Sequence, residues 1–278
     1  MERKNAWNTY EEADLAQVNR IAEQYRQFIS DCKTERECAV RIREMAEAAG
    51  YVSLEKAVRE EGSLQPGDKV YAVHKKKLVI LFHIGTEPME RGMNILGAHI
   101  DSPRLDIKQN PLYEDGEMAL LETHYYGGIK KYQWAAIPLA LHGTVVKKDG
   151  STVEIAVGEQ PGDPVFGISD LLIHLSSEQL QKKAAVVVEG ENLNVIVGSR
   201  PLKDTEEKEK IREALLGILK EQYGIEEEDF LSAELEAVPA GAARDFGLDR
   251  SMIMGYGQDD RICAFTSLLA QLKVQDPA

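Results

Sequence analysis

Residues 95–106 read ILGAHIDSPRLD. The stretch opens with the apolar pattern of a buried strand and ends on an imidazole and a carboxylate, which packing alone does not require. In an extended chain, residues i and i+2 face the same side, so His99 and Asp101 project together from the strand's end. A histidine with one ring nitrogen on a metal usually donates its other N–H to a carboxylate or carbonyl, and His-x-Asp is compact enough for that arrangement. The same residues also suit a surface histidine beside a loop-starting aspartate before Pro103.

Outward from this stretch the chain alternates in texture. Upstream, residues 11–31 place Leu15, Val18, Ile21, Ala22, Tyr25, Phe28 and Ile29 at helical spacing. A second helix is expected from Thr34, which forms a capping-box pattern with Glu37, to a stop at Gly50. The run DKVYAVHKKKLVILFHIG (68–85) reads as two strands around a lysine-rich turn, followed by the strand MNILGAHI (93–100).

Downstream, residues 104–240 read mostly as hairpins. RLDIKQ and MALLETHYY flank a turn containing Asn110-Pro111 and Asp115-Gly116, and Asp149-Gly150 tips a hairpin over 143–158. DLLIHL (170–175) fits either a short strand or a helical turn. A helix is expected over 205–224, with Asp204 as N-cap and Gly224 as stop. DFLSAELEAVPA (229–240) returns to strand. The last element, DDRICAFTSLLAQLK (259–273), is read as a helix with Ile262, Phe265, Leu268, Leu269 and Leu272 on one face. The expected fold class is α/β: a mixed-sheet core with helices over 1–103 and 241–278, interrupted by a mainly β insertion over 104–240. Such an insertion suits a dimerisation module or a lid.

Of the 278 residues 43% are hydrophobic and 29% charged, which suits a folded soluble protein. The formal net charge of −14 argues against a nucleic-acid partner, since phosphate binding needs a basic surface. Acid-rich runs such as EEED (226–229) read as solvated helix ends. The three cysteines, Cys32, Cys38 and Cys263, include no C-x-x-C pair, so neither a disulfide framework nor a thiolate zinc site is expected. A reducing, cytoplasmic compartment follows from that reading. The polar N-terminus lacks the apolar core of a signal peptide, and no apolar run approaches a membrane span.

A second constellation is GYGQDDRICAF (255–265), where Asp259 and Asp260 open an apolar helix. Carboxylates at a helix N-terminus are favourable for dipole reasons alone, and they also suit bridging two cations at a sheet's end. A nucleotide loop is excluded, because the third glycine of the dinucleotide fingerprint and any Gly-Lys-Ser/Thr are missing. His74, His83 and His142 read as structural, and His124 lies in an aromatic segment able to line a pocket. His174, alone in an apolar run, reads as a core histidine. No Gly-x-Ser-x-Gly elbow is present.

GAHIDSPRLDIK, YYGGIKKYQW, LLIHL and GQDDRICAF together, in this order and spacing, resemble the aspartyl aminopeptidases, zinc-dependent exopeptidases. The resemblance spans essentially the whole chain. It implies a zinc-aminopeptidase-like core with an inserted dimerisation domain, two zinc ions per complete site, a peptide substrate with an acidic N-terminal residue, and a dimer or larger homo-oligomer. By the same resemblance His99 is a zinc ligand and Asp101 the carboxylate orienting it. Asp259 bridges the two ions, and in relatives the peptide joining it to a residue such as Asp260 is often cis. His174 matches a histidine inserted into a neighbouring subunit's active site, against the core reading above. Many members have Trp-x-x-Asp where Trp134 is followed by Ala135 and Ala136.

In the family a Glu-Glu pair, a further Asp and a final His lie downstream of the bridging Asp, and no such set follows Asp259 here. A dinuclear site needs about three protein ligands per metal. The expectation is therefore a core incomplete at its C-terminus, as the front part of a longer protein, with one of two chains that share the site as the alternative. The rivals are a shortened, inactive relative serving as an assembly or binding module, and a metal-dependent amide hydrolase acting on non-peptide substrates.

Overall fold

The computed structural model describes residues 3–203, 206 and 208–277. The first elements in chain order are α1 (Glu12–Asp31), α2 (Glu35–Ala48), β1 (Val52–Ser53), α3 (Leu54–Glu61), β2 (Lys69–His74) and β3 (Leu78–His83). Next come β4 (Arg104–Asp115), β5 (Met118–Tyr126), β6 (Leu139–Val146), β7 (Thr152–Val157), β8 (Val195–Gly198), α4 (Lys210–Tyr223) and β9 (Ala233–Pro239). The chain closes with β10 (Arg244–Phe246), β11 (Met252–Met254) and α5 (Gln258–Lys273). These form two compact units, Met1–Ser102 with Ala242–Ala278, and Pro103–Gly241.

In the first unit, β1 pairs in parallel with β2, and β2 pairs antiparallel with β3, a small mixed sheet. The β2–β3 turn places both Lys75 and Lys76 at positive φ, as a tight hairpin turn demands. The Thr34–Glu37 capping box forms: the Thr34 hydroxyl accepts from the Glu37 amide at 3.2 Å and the Glu37 carboxylate accepts from the Thr34 amide at 2.8 Å. Tyr25, Phe28 and Ile29 of α1, Cys38 and Ile42 of α2, and Phe265 and Leu268 of α5 share one apolar core. The N-terminal half of α1 faces solvent, so its apolar stripe is buried only from Tyr25 onward.

Two expectations fail in this unit, and one helix was not expected. The helix α3, closed by Gly62 at φ +76°, was not legible because eight residues carry too little periodicity to stand out. Residues 93–100 form no strand ladder, and Ile95 is 78% exposed. An extended segment becomes a strand only where a neighbour offers backbone donors and acceptors, and none pairs with it among the described residues. On α5, Ile262 is 40% exposed, and Arg261 takes the buried position one residue earlier.

The second unit is a six-stranded antiparallel sheet in the order β7-β6-β9-β4-β5-β8. Bridges from Phe166 to Leu139 of β6 and from Gly167 to Ile196 of β8 curl this sheet on itself. Gly143 is required where β6 crosses β9, because a Cβ there would lie 1.9 Å from the Glu234 carbonyl oxygen. Asp149-Gly150 turns the β6–β7 hairpin, and β4 carries a register shift between Ile107 and Leu112, around Asn110-Pro111. α4 starts at Lys210, later than expected, and ends at Gly224 with φ +63°; Asp204 lies outside the described residues. DLLIHL resolves as a 3-10 turn at Ile173–Leu175. Asp229, expected to be solvated, is buried and caps its own turn by accepting from the Glu226 amide at 2.9 Å.

Candidate metal centre

His99 and Asp101 sit in the extended loop after residue 92, while Asp259 opens α5; all three belong to the first unit. The loop is held from inside, since Ile100 packs on the unit's apolar core and Ser102 is buried. Gly257 at φ +85° turns the chain into α5, and the Asp259–Asp260 peptide is cis. Tyr25 donates its hydroxyl to Gln258 Oε1 at 2.6 Å, and Gln258 donates onward to the Ile253 carbonyl at 3.1 Å, tying the start of α5 to α1 and β11.

This frame brings three of the four sequence-picked residues together. His99 Nδ1 lies 3.2 Å from Asp101 Oδ1 and 3.1 Å from the Asp101 carbonyl oxygen. On the other side of the ring, Nε2 lies 3.3 Å from Asp259 Oδ1. The Asp259 side chain is 93% exposed and that of His99 52%, so both point into accessible space. Partial burial pulls the His99 pKa down, but the Asp101 hydrogen bond and the charges of Asp101, Asp260 and Asp259 outweigh it and leave it raised. That negative field favours any cation on the Nε2 side. His174 lies in the second unit, exposed, on the turn Ile173–Leu175.

The family model for aminopeptidase I zinc metalloproteases (M18) matches residues 28–277. The chain belongs to the M18 family. It is 58% identical over 275 residues to the probable M18 family aminopeptidase 1 of Clostridium acetobutylicum, covering 99% of this chain and 59% of that protein. The crystal structure of aminopeptidase I from Clostridium acetobutylicum superposes with a TM-score of 0.90 at 56% identity, over 99% of this chain and 60% of that one. An M18 aminopeptidase structure from Thermotoga maritima gives 0.90 at 46% identity, over 98% and 58%. The chain therefore spans about three fifths of the length of these M18 relatives.

The donor set fits the zinc of an M18 protein. Two ligands held at about 2.0–2.2 Å in a tetrahedral zinc site lie about 3.3–3.6 Å apart, and the Nε2–Oδ1 separation of 3.3 Å falls at the short end of that range. Neutral imidazole and carboxylate are both ordinary zinc donors. With Nδ1–H donated toward Asp101, the ring keeps its Nε2 lone pair for the metal.

Two residues of this site escaped the sequence reading. Ser102 donates its hydroxyl to the Asp259 carbonyl at 3.1 Å. Arg261 donates from Nε to the Ile100 carbonyl at 2.9 Å, between His99 and Asp101. A signal for Arg261 was present: running the Leu272, Leu268, Phe265 stripe back one turn lands on a charged residue, which a buried face tolerates only with partners. Cys263, in the next turn, has its thiol pKa raised by a hydrogen bond to Asp260.

Proposed function

We propose that this chain supplies the His99–Asp259 part of a dinuclear zinc site in an aminopeptidase that removes N-terminal residues, acidic ones by preference, from peptides. The 3.3 Å approach of His99 Nε2 to Asp259 Oδ1 in an M18 chain carries this reading. Zinc bound there supplies Lewis-acid polarisation of a peptide carbonyl and a more acidic water. Such zinc would be held by His99 through Nε2 and by the Asp259 carboxylate, while Asp101 keeps the His99 ring in the ligating tautomer. The catalytic core is the unit of 1–102 and 242–278, and the general base and remaining ligands belong to the part of the M18 length that this chain does not span.

The second unit serves self-association. Leu172, Ile173 and Leu175 stand exposed on the turn that carries His174, an apolar strap of the kind that marks an interface. In a dimer or larger homo-oligomer, His174 of one copy reaches the site of another and donates a hydrogen bond to the developing oxyanion. The strap also favours a second reading, an assembly module without chemistry. Among the described residues no helix is long and apolar enough to cross a membrane.

The deciding experiment takes the natural gene product, measures its intact mass and zinc content, and assays it on peptides beginning with Asp, Glu, Leu or Ala and on acylamino compounds. The expected result is about two zinc ions per chain, faster release of Asp and Glu, and loss of both metal and activity in His99→Ala. Zinc and peptidase activity that both survive His99→Ala overturn the reading. Association with neither zinc nor hydrolysis selects the assembly module.

A further inference from the structure

Arg261 is 0% exposed, yet each of its three hydrogen bonds ends on a backbone carbonyl rather than a carboxylate. Nε donates to Ile100 at 2.9 Å, Nη1 to Cys32 at 2.8 Å and Nη2 to Lys33 at 3.0 Å. Cys32 and Lys33 form the junction between α1 and α2, a part of the buried core, so the guanidinium joins the His99–Asp101 peptides to that fixed point. The Tyr256 ring flanks it at 5.5 Å. Gly257 leaves it room, since a Cβ there would lie 2.3 Å from Nη1 and 3.2 Å from Ser102 Oγ.

Ser102 completes the pattern in the opposite direction, reaching from the loop to the Asp259 carbonyl at 3.1 Å. Each segment thus sends a side chain to the other's backbone, and the two links flank His99, Asp101 and Asp259. A planar fork with five donors in fixed directions fixes several carbonyls at once, which a lysine ammonium does not reproduce. We infer that Arg261 is a positioning residue of the metal centre, with Ser102 as its counterpart: together they set the 3.3 Å approach of His99 Nε2 to Asp259 Oδ1. The inference rests on the zinc reading above and adds the residues that hold its geometry.

The test uses the full 278-residue chain and the variants Arg261→Lys, Ser102→Ala, Ser102→Thr and His99→Ala. Folding is followed by circular dichroism, Zn²⁺ affinity by competition with a chromophoric chelator, and the metal-free His99 ring by its ¹⁵N signals, assigned by their loss in His99→Ala. Folded Arg261→Lys and Ser102→Ala are expected to bind Zn²⁺ about 10–100-fold more weakly, the usual loss when the support of a ligand is removed. Their His99 ring signals shift toward averaging of the two tautomers, and Ser102→Thr, which keeps the hydroxyl, restores both readouts.

Folded Arg261→Lys and Ser102→Ala with wild-type Zn²⁺ affinity and unshifted ring signals overturn the inference. Where Arg261→Lys does not fold, the Ser102 pair decides by the same criteria. A wild-type 278-residue chain that binds no Zn²⁺ shows that His99 and Asp259 do not hold the metal without the ligands of the part of the M18 length this chain does not span, and the zinc reading is then judged on the natural gene product. The ring signals then judge the positioning role, supporting it if they shift in Ser102→Ala and refuting it if they do not.

Discussion

The Nε2 atom of His99 and Oδ1 of Asp259 stand 3.3 Å apart, the spacing of two donors on one tetrahedral zinc. Both side chains are largely exposed, so their loss should remove metal binding without harming the fold. His99→Ala and Asp259→Asn are expected to change unfolding free energy by no more than about 0.5 kcal/mol while abolishing Zn²⁺ binding. Urea denaturation beside a chelator competition checks this, and a variant that unfolds would instead give the pair a structural role.

Asp101 offers His99 Nδ1 two acceptors, its carboxylate at 3.2 Å and its carbonyl at 3.1 Å. Asp101→Asn separates them. If the carboxylate orients the ring, Zn²⁺ affinity drops about 10–100-fold with His99 intact. Unchanged affinity would assign the orienting role to the main-chain oxygen.

The rotation of α5 predicts an order of stabilities. Phe265 is buried against Tyr25 and Phe28, with ring centroids 5.3 and 5.2 Å away. Phe265→Ala should cost about 3–5 kcal/mol, and Ile262→Ala, on the open side, less than about 1 kcal/mol. Equal losses would contradict the observed face.

Asp163 gives a pH dependence with a definite sign. Its carboxylate accepts from the amides of Gln160 at 3.0 Å and of Gly158 and Glu159 at 3.2 Å. Led by the Gln160 and Gly158 bonds, these hold its pKa below the ordinary 3.8. A lowered carboxylate pKa means that the unfolded chain binds more protons in acid, so the stabilisation is present above 3.8 and lost as pH falls through the folded value. Asp163→Asn should therefore be less stable than wild type at neutral pH, with the difference shrinking as the pH falls below 3.8 and through the lowered folded-state pKa. Urea midpoints across that range test it, and a difference that persists in acid would refute it.

Much of the local structure was readable from residue types alone. Thr34 and Glu37 announced the start of α2, Gly224 the end of α4, and Asp149-Gly150 the β6–β7 turn. Each depends on hydrogen bonds or φ preferences among residues close in sequence, which composition reports directly. His99, Asp101 and Asp259 stood out mainly through the resemblance of their motifs to the aspartyl aminopeptidases, and the structure brings the three side chains together.

Tertiary structure decided what local pattern leaves open. Apolarity in residues 93–100 says that the segment wants a neighbour but not that one is there, and among the described residues it pairs with no strand and leaves Ile95 exposed. The turn of α5 about its axis was set by what its face meets. Arg261 finds three carbonyls converging from Cys32, Lys33 and Ile100, so it is buried and Ile262 is not. The sequence by itself determined the helices' caps and the hairpin turns, because those interactions close within a few residues, and it offered the residue types of the candidate site. Only the folded chain decided which side chains hold that site in place, because a buried charge is stabilised by partners that lie far apart in sequence.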